Sequence, residues 1–162
     1  MKKFVIIFFF LIFSNLINIT SFSAEKAAKP MSPGWSFKGF FGTFDRASLQ
    51  RGYQVYTEVC ASCHSMKHLS YRNLSQPGGP EFSKEQVKII ASQFEVRDGP
   101  NDDGEMFDRP ARPSDNFVSP YANDKEATAA NGGAYPPDMS VLVKARKGGA
   151  AVSYTHLTLP TT

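Results

Sequence analysis

Cys60-Ala61-Ser62-Cys63-His64 holds the only two cysteines of this 162-residue chain, three positions apart and followed at once by a histidine. That arrangement narrows what the chain can be built around. A disulfide scaffold needs more bridges at wider spacing, and a structural zinc site needs two further ligands. The other histidines are His68 and His156. A thioredoxin-like dithiol is expected among alternating strands and helices, a pattern this sequence lacks. What remains is a c-type haem attachment site, with a redox dithiol as its alternative. Cysteines three apart share one face of a helical turn, about 5–6 Å between Cβ atoms, so each thiol can form a thioether with one haem vinyl group. The adjacent His64 can then offer its imidazole to the iron as proximal ligand.

The two ends of the chain need separate treatment. MKKFVIIFFFLIFSNLINITSFSA begins with Lys2 and Lys3 and continues as an apolar run from Phe4 to about Ile19, the pattern of a secretory signal over residues 1–23. Its removal takes two lysines and no acids, so the formal charge falls from +3 to +1. A strongly basic class, and with it nucleic acid as an obvious partner, is therefore unsupported. Export also places the motif where haem attachment takes place. At the other end, residues 150–162 read AAVSYTHLTLPTT without a charge, and VSYTHLTLPTT is one reading frame of a common transposase-type sequencing adapter. The expectation is a non-native tail over 150–162, a natural protein that continues beyond about Gly149, and one small domain over 24–149.

Within that domain, residues 25–44 are rich in Pro, Gly and Phe and read as an extended lead-in. Asp45 can cap a helix from Ala47 to Val59 whose apolar side (Leu49, Gly52, Tyr53, Tyr56, Val59) leads into Cys60. Gly52, four residues before Tyr56, would let another helix approach closely. Tyr71 to Pro80 reads as loop, and Ser83 with Gln86 forms a capping-box pattern ahead of a helix over 84–94. Residues 98–121 read as a long irregular loop, which is usually functional or mobile. A short helix follows from Asp124 to about Ala130, stopped by Asn131-Gly132-Gly133. Pro136-Pro137-Asp138 then starts a last helix containing Met139, Leu142, Val143 and Ala145 and ending at Gly148-Gly149. The expected class is mainly α with long loops, part of its interior supplied by the haem.

The chain resembles the cytochrome c1 family, the haem subunit of the quinol–cytochrome c oxidoreductase (cytochrome bc1) complex, over nearly all of 35–149. The blocks that carry the resemblance are WSFKG at 35–39, RGYQVY at 51–56, VCASCHSM at 59–66, YRNL at 71–74, DGPNDDGEMF at 98–107, NGGAYPPDMS at 131–140 and ARKGG at 145–149. It implies a class I c-type cytochrome domain with one covalent haem c on Cys60 and Cys63 and His64 as proximal iron ligand. It further implies a haem-pocket stretch at Asn131–Pro137, including Asn131, Ala134, Pro136 and Pro137, and an arginine, Arg146, paired with a haem propionate. The implied partners are cytochrome b, the iron–sulfur subunit and an acceptor cytochrome c. The implied location is the periplasmic face of a bacterial inner membrane, anchored by a C-terminal membrane helix. The family's distal methionine lies well downstream of the GG motif, whereas the methionines here are Met1, Met31, Met66, Met106 and Met139. The resemblance therefore implies an incomplete domain, its distal-ligand segment and membrane helix absent.

No acid–base pair or nucleophile stands out, so the expected function is one-electron relay rather than catalysis by this chain alone. A stand-alone periplasmic carrier is the alternative, and a haem peroxidase a more distant one. Glu95, Asp98, Asp102, Asp103, Glu105 and Asp108 form an acidic run interrupted by Arg97. It reads either as a solvated loop, as a negative field steering a basic electron acceptor, or as a surface packed on a neighbouring subunit.

Overall fold

The structure, a computed structural model, describes residues 30–158, so the signal-peptide reading of 1–23 lies outside the described residues. Asp45 accepts a hydrogen bond from the Ser48 amide at 2.7 Å and opens helix α1, Arg46–Glu58. Val59 (φ −122°, ψ −59°) leaves helical geometry, and the chain tightens into a single 3-10 turn, Cys60–Ser62. A second 3-10 turn, Tyr71–Ser75, precedes α2, Lys84–Ser92. The Ser83 and Gln86 side chains cap α2 reciprocally, accepting from each other's amides at 3.1 and 2.8 Å. Strands β1, Glu95–Asp98, and β2, Phe107–Pro110, pair antiparallel with Glu95 opposite Pro110 and Asp98 opposite Phe107. Asn123 caps α3, Asp124–Ala130, and two further helices follow, α4, Leu142–Ala145, and α5, Ala150–Thr158. The architecture is mainly helical with long loops and one small sheet. No helix among the described residues is long and apolar enough to cross a membrane.

The core lies on one side of α1. Tyr71, Leu74, Val87, Ala91, Ala111 and Phe117 form its buried cluster, with Tyr53, Tyr56, Phe82 and Phe94 packed around them. Tyr71 bridges Phe94 and Phe117 at ring distances of 5.4 and 4.8 Å, and Phe117 in turn stacks on Tyr56 of α1 at 6.1 Å. Backbone bonds lace the 69–72 segment to the 113–117 loop: Tyr71 N to Asp115 O, Arg72 N to Pro113 O, and Phe117 N to Leu69 O.

Three expectations are corrected. The 98–121 stretch is not irregular throughout, because β2 turns its first part into a hairpin pinned by Arg109. Its guanidinium binds Asp98 across the hairpin and donates to Asp115 at 2.6 Å, a contact between side chains that are both largely buried. The last helix does not begin at Pro136-Pro137-Asp138: residues 134–141 run as an irregular strap and only Leu142–Ala145 is helical. The strap is not helical because its Met139 amide and Asp138 carboxylate bond to residues 65–67. Among the described residues no helix packs on Gly52, where an added Cβ would meet nothing within 4 Å. Residues 150–158 are helical, with Ala151 buried and Tyr154 set edge-on to Trp35 at 5.6 Å.

The acidic run is partly neutralised from within. Asp98 is held by Arg109, and Asp108 lies 3.5 Å from Arg97, while Glu95, Asp102, Asp103 and Glu105 face solvent. Hydrogen bonds from Arg109 draw both the Asp98 and Asp115 carboxyls below the ordinary 3.8. Folded-state values below the unfolded ones mean stability that is fully present above about pH 4 and lost as the pH falls through the lowered values. Arg109→Met is therefore expected to destabilise the fold near neutral pH and to flatten its loss of stability in acid. Urea midpoints at pH 7 and pH 3 check this. An acid dependence as steep in the variant as in the parent would remove the ion-pair account.

Candidate functional site

The motif hangs from the C-terminal end of α1. Cys60 closes the 3-10 turn by accepting at its carbonyl from both the Cys63 amide (3.1 Å) and the His64 amide (2.8 Å). Cys63 caps this turn one position beyond its end, with φ −128° and ψ −30°. Both thiols are free and half-buried. Burial pushes the Cys60 thiol up, keeping it protonated at neutral pH.

Cys60 and His64 face a cavity of about 580 Å³ with a mostly apolar lining, inside the span of roughly 300–1,000 Å³ common for small-molecule and cofactor sites. Gly52, Val55 and Tyr56 of α1 form one wall; Pro137, Met139, Leu142 and Arg146 form another, with Val152 and Ser153 of α5 beside them. Cys63 faces an adjoining space of about 220 Å³, together with Tyr121, Tyr135 and Pro136. Burial, with smaller contributions from Asp138 and Tyr71, raises the Tyr56 phenol to about 12, so it stays neutral in the wall.

The histidine is oriented by backbone. Its Nδ1 lies 2.9 Å from the carbonyl oxygen of Pro137, 73 positions away in the chain. A carbonyl can only accept, so Nδ1 carries the proton and Nε2 keeps its lone pair for a metal. The strap that supplies this carbonyl is itself tied down. Asp138 accepts from Ser65 Oγ (2.8 Å), the Lys67 amide (2.9 Å) and the Ser140 amide (2.9 Å). Partial burial works to raise the Asp138 carboxyl, and these hydrogen bonds overcome it, leaving it at about 2.

The structure thus brings Cys60, His64, Pro137 and Arg146 to one cavity and Cys63 with Pro136 to its neighbour. Arg146 is exposed at the rim. Asn131 and Ala134 line neither space: Asn131 donates from Nδ2 to Tyr121 Oη (3.1 Å) and the Ala127 carbonyl (2.7 Å), and the Ala134 amide closes a turn on the Asn131 carbonyl. His68 also lies outside both, while Met139 lines the larger cavity with its amide bonded to the Ser65 carbonyl. The wall residues Gly52 and Tyr56 carry a signal in sequence, since 52, 56 and 60 recur every four residues and share a face with Cys60. Asp138 had no such signal, because its partners lie far away in the chain.

The donor set fits a haem. Among the described residues no cluster of three or more His, Cys, Asp or Glu could hold a metal ion. One imidazole in an apolar cavity flanked by two thiols suits a group that brings its own equatorial donors and needs covalent anchors.

The cytochrome C1 family profile matches residues 35–159. The chain belongs to the cytochrome c1 family. Similar curated proteins include "Cytochrome b/c1" of Bradyrhizobium diazoefficiens, 54% identical over 125 residues (77% of this chain, 18% of that protein). "Cytochrome c1" of Rhodospirillum rubrum is 54% identical over 123 residues (76% and 44%). "Cytochrome c1, heme protein, mitochondrial" of Saccharomyces cerevisiae is 44% identical over 136 residues (84% and 43%). The chain spans less than half the length of each of these three cytochrome c1 relatives.

Proposed function

We propose that this chain carries one covalent haem c and relays single electrons from the iron–sulfur subunit of a quinol–cytochrome c oxidoreductase to a cytochrome c. The observation that carries the reading is the 2.9 Å contact of His64 Nδ1 with Pro137 O, which leaves Nε2 for iron in a cavity lined by the free thiol of Cys60, with that of Cys63 facing the adjoining space. Cys60 and Cys63 would each add S–H across one vinyl double bond, sulfur to one carbon and hydrogen to the other, which consumes no oxidant. The haem supplies reversible one-electron chemistry when bound. His64 ligates the iron, and the Pro137 carbonyl strengthens the imidazole as a donor. Tyr56, Val55, Leu142 and Met139 exclude water from the cavity. Arg146 at the rim pairs with a propionate, as a guanidinium suits a carboxylate.

In this role the chain is not an enzyme by itself but one subunit of an enzyme complex. Its partners are cytochrome b, the iron–sulfur subunit and the acceptor, on the periplasmic face of a bacterial inner membrane, with the natural protein anchored by a C-terminal helix. Glu95, Asp102, Asp103 and Glu105 are left to steer a basic acceptor. The test uses the full-length protein in its native membranes. Quinol is expected to reduce a c-type chromophore attached to this polypeptide, and added cytochrome c to reoxidise it. A chromophore that cytochrome c oxidises but that purifies free of cytochrome b would instead favour a stand-alone carrier. In the same membranes, Arg146→Ala is expected to change the haem potential, and an unchanged potential and haem content would remove the propionate role.

A further inference from the structure

We propose that Asp138 is the positioning residue for the proximal histidine: its carboxylate bolts the strap to the segment after His64 and so holds the Pro137 carbonyl on Nδ1. The proposal rests on the reading of His64 as an iron ligand. Pro137 has no amide hydrogen, so its carbonyl is the only backbone group it can offer His64. The strap carrying it belongs to no helix or strand. Its position depends on four cross-links to residues 65–68, of which Asp138 makes two directly. One carboxylate oxygen accepts from Ser65 Oγ and from the Lys67 amide, at 2.8 and 2.9 Å. The other accepts from the Ser140 amide at 2.9 Å, which turns Ser140 so that its Oγ accepts from the His68 amide at 3.1 Å. The Met139 amide adds a bond to the Ser65 carbonyl at 2.8 Å. All of these lie within three residues of Pro137 on one side and within four of His64 on the other, so they act on the 2.9 Å contact between those two.

The chemistry of the site requires a carboxylate. Two backbone amides approach from opposite segments, and only an acceptor with oxygen on both arms satisfies both. Asparagine keeps the shape and loses one arm, since an NH₂ facing an amide N–H cannot accept from it. Alanine loses both. Hydrogen bonds to a charged acceptor are the stronger kind, so their loss releases the strap locally without touching the core beyond α1.

The test takes the full-length haem-loaded protein, reduced and therefore diamagnetic, with ¹⁵N-labelled histidine. Covalent haem is first scored on a denaturing gel of the unaltered protein; its absence there would overturn the attachment reading itself. Asp138→Ala is expected to speed solvent exchange of the His64 Nδ1 proton by about tenfold or more, because closing bonds worth a charged pair are gone. Asp138→Asn is expected to fall between. The amides of α2 should keep their protection in both variants, and the haem potential should rise as the imidazole becomes a poorer donor. If Asp138→Ala yields no haem protein, Asp138→Asn carries the same comparison. Unchanged Nδ1 exchange with haem in place, or equal loosening of α2, would overturn the positioning role and leave the attachment reading standing.

Discussion

A protein in which Cys60 and Cys63 are both replaced by alanine is expected to carry no covalent haem, the largest effect any change in this chain should have. The two thiols are the only ones in the sequence. No other described side chain could replace a thioether bond, and His64 alone would have to retain the group by coordination. Each single variant should keep one thioether and still stain for haem on a denaturing gel, with a shifted visible band from the vinyl group left unsaturated. The double variant should not stain at all. The cavity gives the single variants different weights: Cys60 faces the larger, apolar space with His64, whereas Cys63 faces the smaller one. Cys60→Ala should therefore cost more haem than Cys63→Ala. Persistence of covalent haem in the double variant would sink the assignment of the motif. The measurement is a haem stain together with the absorption of the reduced pyridine adduct.

Where the sequence could be read depended on the range of the forces involved. Asp45 before α1, the Ser83–Gln86 box before α2 and the start of α3 at Asp124 are local signals, satisfied within a few residues, and the structure has all three. The hairpin was not legible, because what holds Phe107–Pro110 against Glu95–Asp98 is Arg109 reaching back to Asp98 and forward to Asp115. The strap misled for the same reason. Pro136-Pro137-Asp138 is a good helix start by local rules, but Asp138 bonds to Ser65 and Lys67, more than seventy positions upstream. At the site, motif chemistry pointed to Cys60, Cys63 and His64, and family likeness to Pro137 and Arg146. The carbonyl on Nδ1 could not be read from either, because a backbone oxygen leaves no mark on residue identity. Likeness also grouped Asn131 and Ala134 with the pocket stretch, whereas Asn131 holds the end of α3 to Tyr121.

The second large effect is on stability and begins far from the thiols. Tyr71 is 2% exposed and sits between Phe94 and Phe117, at the join of the 69–72 segment with the 113–117 loop. Tyr71→Ala removes a whole ring from a core whose buried cluster, among the described residues, has six members. Truncating a buried aromatic costs about 3–5 kcal/mol, and a core this small has few neighbours able to collapse into the gap. Tyr71→Phe keeps the ring and removes only the hydroxyl beside the Val118 backbone, at a cost of about 1 kcal/mol. Denaturant midpoints followed by far-ultraviolet circular dichroism should order the proteins as parent, Tyr71→Phe, Tyr71→Ala. The loss should also reach the site, because Phe117 stacks on Tyr71 from one side and on Tyr56 from the other, and Tyr56 is a wall of the larger cavity. A slackened Phe117 lets Tyr56 move, so haem retention should fall in Tyr71→Ala but not in Tyr71→Phe. Equal haem retention in both, despite a large difference in midpoint, would show that the core and the cavity wall are mechanically separate and that Tyr56 is held by α1 and by its hydroxyl's bond to the His64 carbonyl.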